Sequence, residues 1–434
     1  MTDTGLHRFC FTTSTPMSRV DRQGRRLIST DNLHADQVRI RDLTSPFKPR
    51  AWAWDLLTFV RAAFLADKAA LRKYSRDRWT RTIELSVPVG EPTLWDEATR
   101  GIAAALLATL TGDRWDLDIR EGEQTAPSGR APLDGTDLPA EKVLLFSGGL
   151  DSTAAAAHLA AQGHRLLLVT YSRGQLGTLQ DRVACDIARL GAPAHVQQAH
   201  PVTQDPRGLG ETELTSRSRG LLYAATAIYL AAAHEQPTVT MAENGQLAVN
   251  PPLTERRLTA CSTRSVHPRT LDLLNQLVTR LGGTVTVVNP FLYLTKGDVC
   301  RVALGAGLSP EALYRTVGCG RPPMYRTSSA LAHCGLCVAC LFRRSGLIAA
   351  LGNDQTPYEC EPADALKNST KSADYRALLH WLGAPFTTAS LIRDLPLPAH
   401  TPTPQLRMVI ERGREELQSM VNTLTPYEGL VRSR

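Results

Sequence analysis

Residues 143–153, VLLFSGGLDST, place two glycines between a short apolar run and an alanine-rich stretch that predicts a helix. The run VLLF has no polar alternation, which is typical of a strand buried on both faces of a parallel sheet. At the carboxyl end of such a strand, glycines let backbone N–H groups approach an anion, and the N-terminus of the next helix adds a positive dipole. The stretch therefore predicts a phosphate-binding loop on an α/β fold.

The residues of this loop separate it from a Walker A motif. That motif places a lysine after its glycines, whereas here Asp151 lies in the loop and no lysine follows. An acid beside bound phosphates suits Mg²⁺ held against a leaving pyrophosphate, which implies cleavage of ATP between its α- and β-phosphates. An ordinary glycine-rich turn with an Asp cap is the alternative. The expected ATP contacts in the loop are Ser147, Gly148, Gly149, Asp151, Ser152 and Thr153.

Strand and helix patterns alternate over the middle of the chain, which is typical of a doubly wound parallel sheet. The first third combines helical and two-residue periodicities and holds most of the tryptophans, which suggests an α+β domain with its own core. We expect an N-terminal accessory domain over 1–121, a linker over 122–140, the sheet domain with a metal site over 141–346 and a C-terminal helical extension over 347–434.

Composition indicates a folded protein and argues against some partners. Hydrophobic residues make up 43% of the 434 residues, enough for two or three cores. The formal net charge of +7 is spread along the chain and forms no dense basic stripe, so a nucleic-acid partner is not expected. The sequence shows neither a membrane-spanning apolar run nor a signal-peptide pattern, so we expect no membrane partner and a cytoplasmic location.

Four of the nine cysteines cluster near the end of the sheet domain. In a reducing cytosol this clustering favours a metal site over disulfides. Four thiolates suit a closed tetrahedral Zn²⁺ site. An iron–sulfur cluster also uses the C-x₂-C-x₂-C spacing, and His333 is an alternative to the first cysteine. The predicted ligands are Cys319, Cys334, Cys337 and Cys340.

The sequence SGGLDS at 147–152 resembles the SGGxDS motif of the PP-loop ATP pyrophosphatases. Members of that group bind ATP, adenylate an acyl or carbonyl oxygen, release pyrophosphate and let a nucleophile displace AMP. Cys319 followed by HCGLCVACLFRR resembles the zinc site of one branch, 7-cyano-7-deazaguanine synthase, or QueC. The resemblance covers about residues 141–346 and implies the fold of the adenine nucleotide alpha hydrolases, with ATP, Mg²⁺ and Zn²⁺ as cofactors.

The resemblance also implies roles outside the loop. TYSRGQ is similar to the segment that carries adenine contacts, which implies that Tyr171 binds ATP. SRSRG resembles a Gly-Arg turn of the family and contains Arg219, and VNPFLYLTKGDV resembles a strand and helix that carry the family's lysine, here Lys296. Both cations, together with Asp151, are the predicted catalytic residues. For Arg219, a surface charge is the alternative.

The segment that follows the fourth predicted strand of the sheet departs from the housekeeping enzyme. It resembles the corresponding segment of a longer QueC-like subgroup found in antiphage systems such as Qat. The shared features are ENG, a Pro-Leu-Thr turn and an STR…HP stretch. Glu243 could accept the N1–H and exocyclic amine of a guanine-like edge, Arg264 could neutralise a carboxylate or α-phosphate, and His267 could carry a proton or cap a helix. The predicted substrate-binding residues are Glu243, Asn244, Arg264 and His267.

These resemblances imply an enzyme that adenylates a 7-carboxy-7-deazaguanine-type carboxylate and transfers it to an amine of a partner protein in antiphage defence. The N-terminal domain would give such an acceptor a place to dock. Free nitrile synthesis with ammonia, tRNA modification and an ATP-sensing scaffold without catalysis are the alternatives. Release of AMP and pyrophosphate, as opposed to ADP, tests the class.

Overall fold

Two parallel sheets organise the chain in the computed structural model. No helix in the described part of the chain is both long and apolar enough to cross a membrane. The structure describes residues 5–12, 24–29, 47, 50–122, 139–170, 175–191, 194–198, 208–215, 217–250, 253, 264–320, 333–365 and 372–424.

The N-terminal unit is built on a four-stranded sheet. Its elements are β1 Leu6–Thr12, β2 Arg26–Ser29, α1 Ala51–Ala69, a 3₁₀ turn Arg72–Tyr74, β3 Thr82–Val89, a 3₁₀ turn Pro92–Leu94, α2 Glu97–Thr111 and β4 Arg114–Glu121. The strands pair in the order β2-β1-β3-β4, and every pair is parallel. The alternating sequence predicts half-buried strands without fixing their direction. Parallel neighbours need crossover connections, and α1 and α2 supply two of them.

The second sheet has five parallel strands, β5 Lys142–Phe146, β6 Leu166–Thr170, β7 Ala194–Gln198, β8 Thr238–Thr240 and β9 Thr286–Val288. Their order is β7-β6-β5-β8-β9. The chain first moves outward through β6 and β7 and then continues on the other side of β5. This confirms the doubly wound sheet and puts the switch in strand order at β5, whose carboxyl end leads into the SGGLDS loop.

Helices cover both faces of this second sheet. They are α3 Leu150–Ala161, α4 Gln175–Ala188, α5 Arg219–Ala233, α6 Gly245–Val249, α7 Pro268–Arg280, α8 Lys296–Gly305, α9 Pro310–Arg315 and α10 Val338–Leu351. Leu144 and Phe146 of β5 pack with α3, α4 and α8, whereas Val143 faces α5 and α7. Both faces of β5 are therefore buried, as its unalternating sequence predicts.

The N-terminal unit shares its hydrophobic core with the second sheet. Helix α1 packs on α5 and α2 packs on α7, and the rings of Trp54 and Tyr229 lie 5.7 Å apart across this contact. One continuous cluster joins Phe59 of α1 to Val143 of β5. The expectation of a separate core in the first third is therefore wrong in detail, because its helices are buried between the two sheets.

The C-terminal extension consists of α11 Pro362–Ala365, α12 Ala373–Gly383, α13 Thr388–Ile392 and α14 Thr403–Leu424. Helix α14 packs against α10 and also contacts α6 and α8. Leu417 and Met420 of α14 are buried in this interface. The predicted linker falls, apart from its ends, outside the described residues, so the domain boundaries stay predictions.

Candidate active site and metal centre

The SGGLDS segment forms a turn closed by its own hydroxyls. Ser147 N donates to Ser152 Oγ at 3.3 Å, and Gly149 N donates to Ser147 Oγ at 3.2 Å. Gly148 has a φ of 73°, in the left-handed region that favours glycine. A Cβ at Gly148 would lie 3.0 Å from the Gln180 side chain. The turn therefore requires a glycine here and leaves its backbone close to the N-terminus of α3.

Two buried hydroxyls beside this turn lack a hydrogen-bond partner among the described residues. They belong to Thr153, in the first turn of α3, and Thr170, which ends β6 opposite Phe146 of β5. Buried hydroxyls are normally hydrogen-bonded. The helix start and the strand end beside the loop therefore retain polar groups that a ligand could satisfy.

Asp151 joins three elements at the carboxyl edge of the sheet. Its Oδ1 accepts hydrogen bonds from Asn244 N at 3.0 Å and Asn244 Nδ2 at 3.1 Å. Its Oδ2 forms an ion pair with Lys296 Nζ. All three side chains are buried. The structure thus brings together the loop after β5, the turn after β8 and the start of α8, three regions that the sequence analysis assigned to one site.

Glu243 belongs to the same network. Asn244 Nδ2 donates to Glu243 Oε1 at 3.1 Å. Burial, reinforced by the neighbouring carboxylate of Asp151, raises the pKa of Glu243 to about 8. Burial alone would lower the pKa of Lys296, but the acids Asp151 and Glu243 outweigh that effect and raise it. At neutral pH the site therefore holds a lysine that stays charged, Lys296, and an acid that keeps its proton, Glu243.

Three further residues that support this network were not predicted from the sequence. Asn289 Oδ1 accepts from Glu243 N at 3.1 Å, and Asn289 Nδ2 donates to Glu243 O at 2.8 Å. Gln246 Oε1 accepts from Lys296 N at 3.3 Å. Glu416, on α14, bonds to the start of α8. Asn289 at a strand end could have been suspected, whereas a contact with Glu416 depends on how distant helices pack.

The structure places the remaining predicted residues away from Asp151 or at its margin. Arg219 is the first residue of α5, and α5 starts at the same carboxyl edge of the sheet. Arg264 is buried elsewhere, where it donates to Thr109 O at 3.1 Å and to Asp394 Oδ2 at 2.8 Å. It thereby ties the N-terminal unit to the C-terminal extension. Tyr171 lies outside the described residues.

His267 caps a helix. It is the N-cap of α7, and its Nδ1 accepts from Arg269 N at 3.1 Å. Burial, together with the charges of Arg264 and Arg269, lowers the pKa of His267 to about 3. The ring is therefore neutral at physiological pH and carries its proton on Nε2. This geometry supports the capping role that the sequence analysis kept as the alternative to proton transfer.

The four predicted metal ligands converge. The sulfurs of Cys319, Cys334, Cys337 and Cys340 all lie within 4.8 Å of one another. Cys319 Sγ lies 4.0 Å from Cys337 Sγ, and Cys334 Sγ lies 3.9 Å from Cys340 Sγ. A tetrahedral ion with Zn–S bonds of about 2.3 Å requires sulfurs about 3.8 Å apart. The arrangement is therefore consistent with zinc binding.

The surroundings of the thiols also suit a bound cation. Gly320 N donates to Cys337 Sγ at 3.3 Å and Cys334 N donates to Cys319 Sγ at 3.4 Å, as expected of groups that stabilise metal thiolates. His333, the alternative ligand, instead accepts from Gly318 N at 3.4 Å. A cluster of several iron atoms would need more widely spaced sulfurs than these. The geometry thus favours a single ion held by four cysteines.

The cysteine cluster is linked to the SGGLDS turn by a short segment. Val317 N donates to Gly148 O at 2.7 Å, two residues before Cys319. A Cβ at Gly149 would lie 3.3 Å from Val317 O. Arg343, just after the cysteines, is buried and bonds to Leu313 O at 2.9 Å. The cysteine cluster therefore supports the segment that lies against the SGGLDS turn.

Known proteins are similar to about half of this chain. No model of a known protein family matches the chain. It is similar to the 7-cyano-7-deazaguanine synthases of Saccharophagus degradans (26% identical over 232 residues, 50% of this chain and 96% of that protein), Novosphingobium aromaticivorans (27% over 241 residues, 50% and 93%) and Kineococcus radiotolerans (29% over 248 residues, 51% and 98%). The relatives match over nearly their whole lengths, and about half of this chain lies outside the matches. Over the matching half, the chain is a distant homologue of 7-cyano-7-deazaguanine synthase, a PP-loop ATP pyrophosphatase.

Proposed function

We propose that this protein is an ATP-dependent, AMP-forming ligase that activates a 7-carboxy-7-deazaguanine-type carboxylate and transfers it to an amine of a partner protein, in antiphage defence. The convergence of Asp151, Asn244 and Lys296 beside the SGG turn carries the proposal. It puts a buried acid and a buried cation next to a backbone that favours anions.

The loop is proposed to hold the triphosphate of ATP. Gly148 and Gly149 keep the turn free of side chains at the start of α3, so that its backbone N–H groups can approach phosphate, and the hydroxyls of Thr153 and Thr170 supply unused donors. Lys296 is the cation at this edge, and Arg219 is proposed to approach the phosphates from the start of α5. Tyr171 remains the proposed adenine contact.

Mg²⁺ fits the chemistry of this donor set. It is usually bound by one or two carboxylates together with substrate phosphates, and Asp151 is a buried carboxylate at the loop. Both oxygens of Asp151 already accept hydrogen bonds, one from Asn244 and one from Lys296. Asp151 would hold the ion once Lys296 turns to the phosphates. The ion would neutralise charge on the leaving pyrophosphate.

The proposed chemistry has two steps. An oxygen of the substrate carboxylate attacks the α-phosphorus of ATP, the bond to the β-phosphate oxygen breaks, and pyrophosphate leaves with its electron pair. An amine then attacks the acyl carbon, the bond to AMP breaks, and the amine loses a proton. Lys296 would stabilise the charge that develops on the phosphates. Glu243 and Asn244 are proposed to contact the substrate, with Glu243, in its ionised form, accepting from the guanine-like edge.

Arg264 and His267 are proposed to make no direct contact with the substrate and to hold the surrounding segments in place. Arg264 holds the substrate segment between Thr109 and Asp394, and His267 fixes the start of α7. This departs from the direct contacts that the sequence suggests. The metal of the four cysteines, proposed to be Zn²⁺, would likewise stabilise the fold at the loop.

Nitrile synthesis with ammonia is the second candidate, because the relatives are named 7-cyano-7-deazaguanine synthases. Converting a carboxylate to a nitrile removes two oxygen atoms and so consumes two ATP molecules, whereas an amide requires one. The half of the chain outside the matches supports a protein acceptor, since ammonia needs no docking surface. The number of AMP molecules formed per product therefore separates the two candidates.

The test is incubation of the purified full chain with MgATP and 7-carboxy-7-deazaguanine. Hydroxylamine serves as a surrogate amine and ammonium as the alternative. The proposal expects AMP and pyrophosphate that depend on the carboxylate, and one AMP per hydroxamate. Two AMP molecules per nitrile with ammonium would favour the synthase. Release of ADP would overturn the proposed function altogether.

A further inference from the structure

The C-terminal helix α14 reaches the residue that carries the site's cation. Glu416 Oε1 accepts from Thr295 Oγ1 at 2.5 Å, and Glu416 Oε2 accepts from Gly297 N at 3.0 Å. These two residues flank Lys296 in the chain. The carboxylate of Glu416 thus spans the backbone on both sides of Lys296.

A second contact of α14 fixes the opposite side of the network. Gly413 lies against Gln246, and a Cβ at Gly413 would clash with the Gln246 amide. Gln246 Oε1 accepts from Lys296 N, and Gln246 follows Asn244 on α6. One face of α14 therefore contacts both elements that hold Asp151.

Helix α10 encloses Lys296 from a third direction. A Cβ at Gly346 would lie 2.5 Å from Lys296 Cγ, so the aliphatic stem of the lysine packs directly on the α10 backbone. The stem is held at its base while Nζ reaches Asp151. A cation fixed in this way loses little conformational entropy when phosphate charge develops.

We propose that Glu416 is a positioning residue for Lys296, so that the C-terminal extension completes the active site. The inference rests on the proposed function of Lys296 as the cation that faces the phosphates. A carboxylate suits the position because both its oxygens accept hydrogen bonds and because a negative charge is favourable at the start of α8.

The free-energy cost of ionising the buried Glu416 carboxylate indicates that its charge serves a function. Burial raises the pKa of Glu416, so the ionised form is less stable here than in water. Thr295 and Asp298 already cap α8 with a capping box. A helix start that needed only hydrogen bonds would be served by a neutral residue at 416.

The experiment compares Glu416→Gln with Glu415→Gln, its exposed neighbour on α14. Both changes remove one negative charge from the same helix. For Glu416→Gln we expect kcat for AMP release to fall by about 10- to 100-fold and KM for ATP to stay within about twofold, because the lost interaction acts in the transition state. Glu415→Gln should match the wild type.

A double-mutant cycle separates positioning from a general structural effect. In the background of Lys296→Met, Glu416→Gln should cause no further loss, because its target is gone. Additive losses, or a kcat loss that follows a loss of folded protein in thermal unfolding, would overturn the proposal. An unchanged kcat in Glu416→Gln would overturn it as well.

A second readout is independent of catalysis. Acetic anhydride labelling of the folded protein, followed by mass spectrometry, reports the accessibility of Lys296. Glu416→Gln should label faster at Lys296 than the wild type and Glu415→Gln, while the other lysines stay unchanged. If no variant releases AMP, the proposed function fails but the labelling still tests the contact. Equal labelling of Lys296 in all three proteins would contradict the positioning role.

Discussion

Two buried charge networks in this protein contain similar groups but differ in balance. In the N-terminal unit, Arg81 pairs with Asp67 at 2.6 Å and with Asp113 at 2.5 Å, and Arg72 pairs with Asp113 at 2.8 Å. At the candidate site, two acids, Asp151 and Glu243, share the single cation Lys296. The first network has equal numbers of acids and bases, and the second has an excess acid.

The difference determines what each network can do. Burial opposes ionisation of Asp67, yet the charge of Arg81 outweighs it and lowers the pKa of Asp67. Arginine stays protonated, so the charges of the N-terminal network are fixed. Asp67 also accepts from Ser218 N at 3.2 Å and so ties α1 to the start of α5. At the site, Glu243 can gain or lose a proton, which lets the network respond to a charged ligand.

Loss of the charge on Asp151 should cause the largest change. We expect Asp151→Asn to reduce AMP and pyrophosphate release by about 10²- to 10³-fold or more. The free energy of unfolding should change by less than about 1 kcal/mol, because Glu243 can ionise and pair with Lys296. A pyrophosphate assay and urea unfolding measure the two effects. If Asp151→Asn lowered the free energy of unfolding as much as we expect for Asp67→Asn, the two charge networks would not differ in the way described.

Loss of the charge on Asp67 should give the opposite pattern. Asp67→Asn leaves Arg81 and Arg72 facing one acid, and breaking such a buried pair costs about 3–5 kcal/mol. Urea unfolding measures this cost. Asp118→Asn is the matched control, since the Asp118 side chain, which pairs with Arg25, is 47% exposed and exposed pairs contribute at most about 1 kcal/mol. Equal effects of the two variants would show that the N-terminal network is not a structural clamp.

The cysteine cluster is a third, largely buried set of ionisable groups, and we propose that a bound zinc ion holds it together. Cys337→Ser should lose bound zinc and about 2–3 kcal/mol of unfolding free energy, because removal of a metal is among the large destabilising effects. Metal content by plasma mass spectrometry and thermal unfolding check this. Cys185→Ser, at an exposed cysteine outside the cluster, is the control. Full zinc content in Cys337→Ser would contradict the ligand assignment.

The excess acid should give an effect that appears only as a dependence of stability on pH. The folded pKa of Glu243, about 8, lies above its unfolded value, so the folded state binds the extra proton between them. The contribution to stability is complete below the unfolded pKa and is lost as pH rises to about 8, by at most about 1.4 kcal/mol per pH unit. Glu243→Gln should flatten this decline in unfolding curves from pH 5 to 9 by about that amount. If stability fell with pH as steeply in Glu243→Gln as in the wild type, another group would be responsible for the pH dependence.

Local patterns predicted the parts of the molecule that one segment determines. The unalternating VLLF and the two glycines indicate strand β5 and its loop, and the cysteine spacing indicates the metal centre, because each signal lies within a few residues. Lys296 was assigned to the site through a resemblance, and its ion pair with Asp151, which joins residues 145 positions apart, was not predicted.

Other features depend on packing between distant segments. Arg264 looked like a substrate ligand, but Asp394 and Thr109 engage it, and neither partner is marked in the sequence. Glu416 lies on a helix with the ordinary pattern of a surface element. The shared core of α1 and α5 could not be foreseen either, because apolar stripes indicate that a helix is buried without naming its partner.

Transfer of oxygen from the substrate to AMP tests the central claim most directly. The full chain is incubated with MgATP, hydroxylamine and 7-carboxy-7-deazaguanine labelled with ¹⁸O in its carboxylate, and the AMP is analysed by mass spectrometry. If the loop after β5 directs attack on the α-phosphorus, each AMP carries one ¹⁸O. Unlabelled AMP, or ADP in its place, would contradict the account.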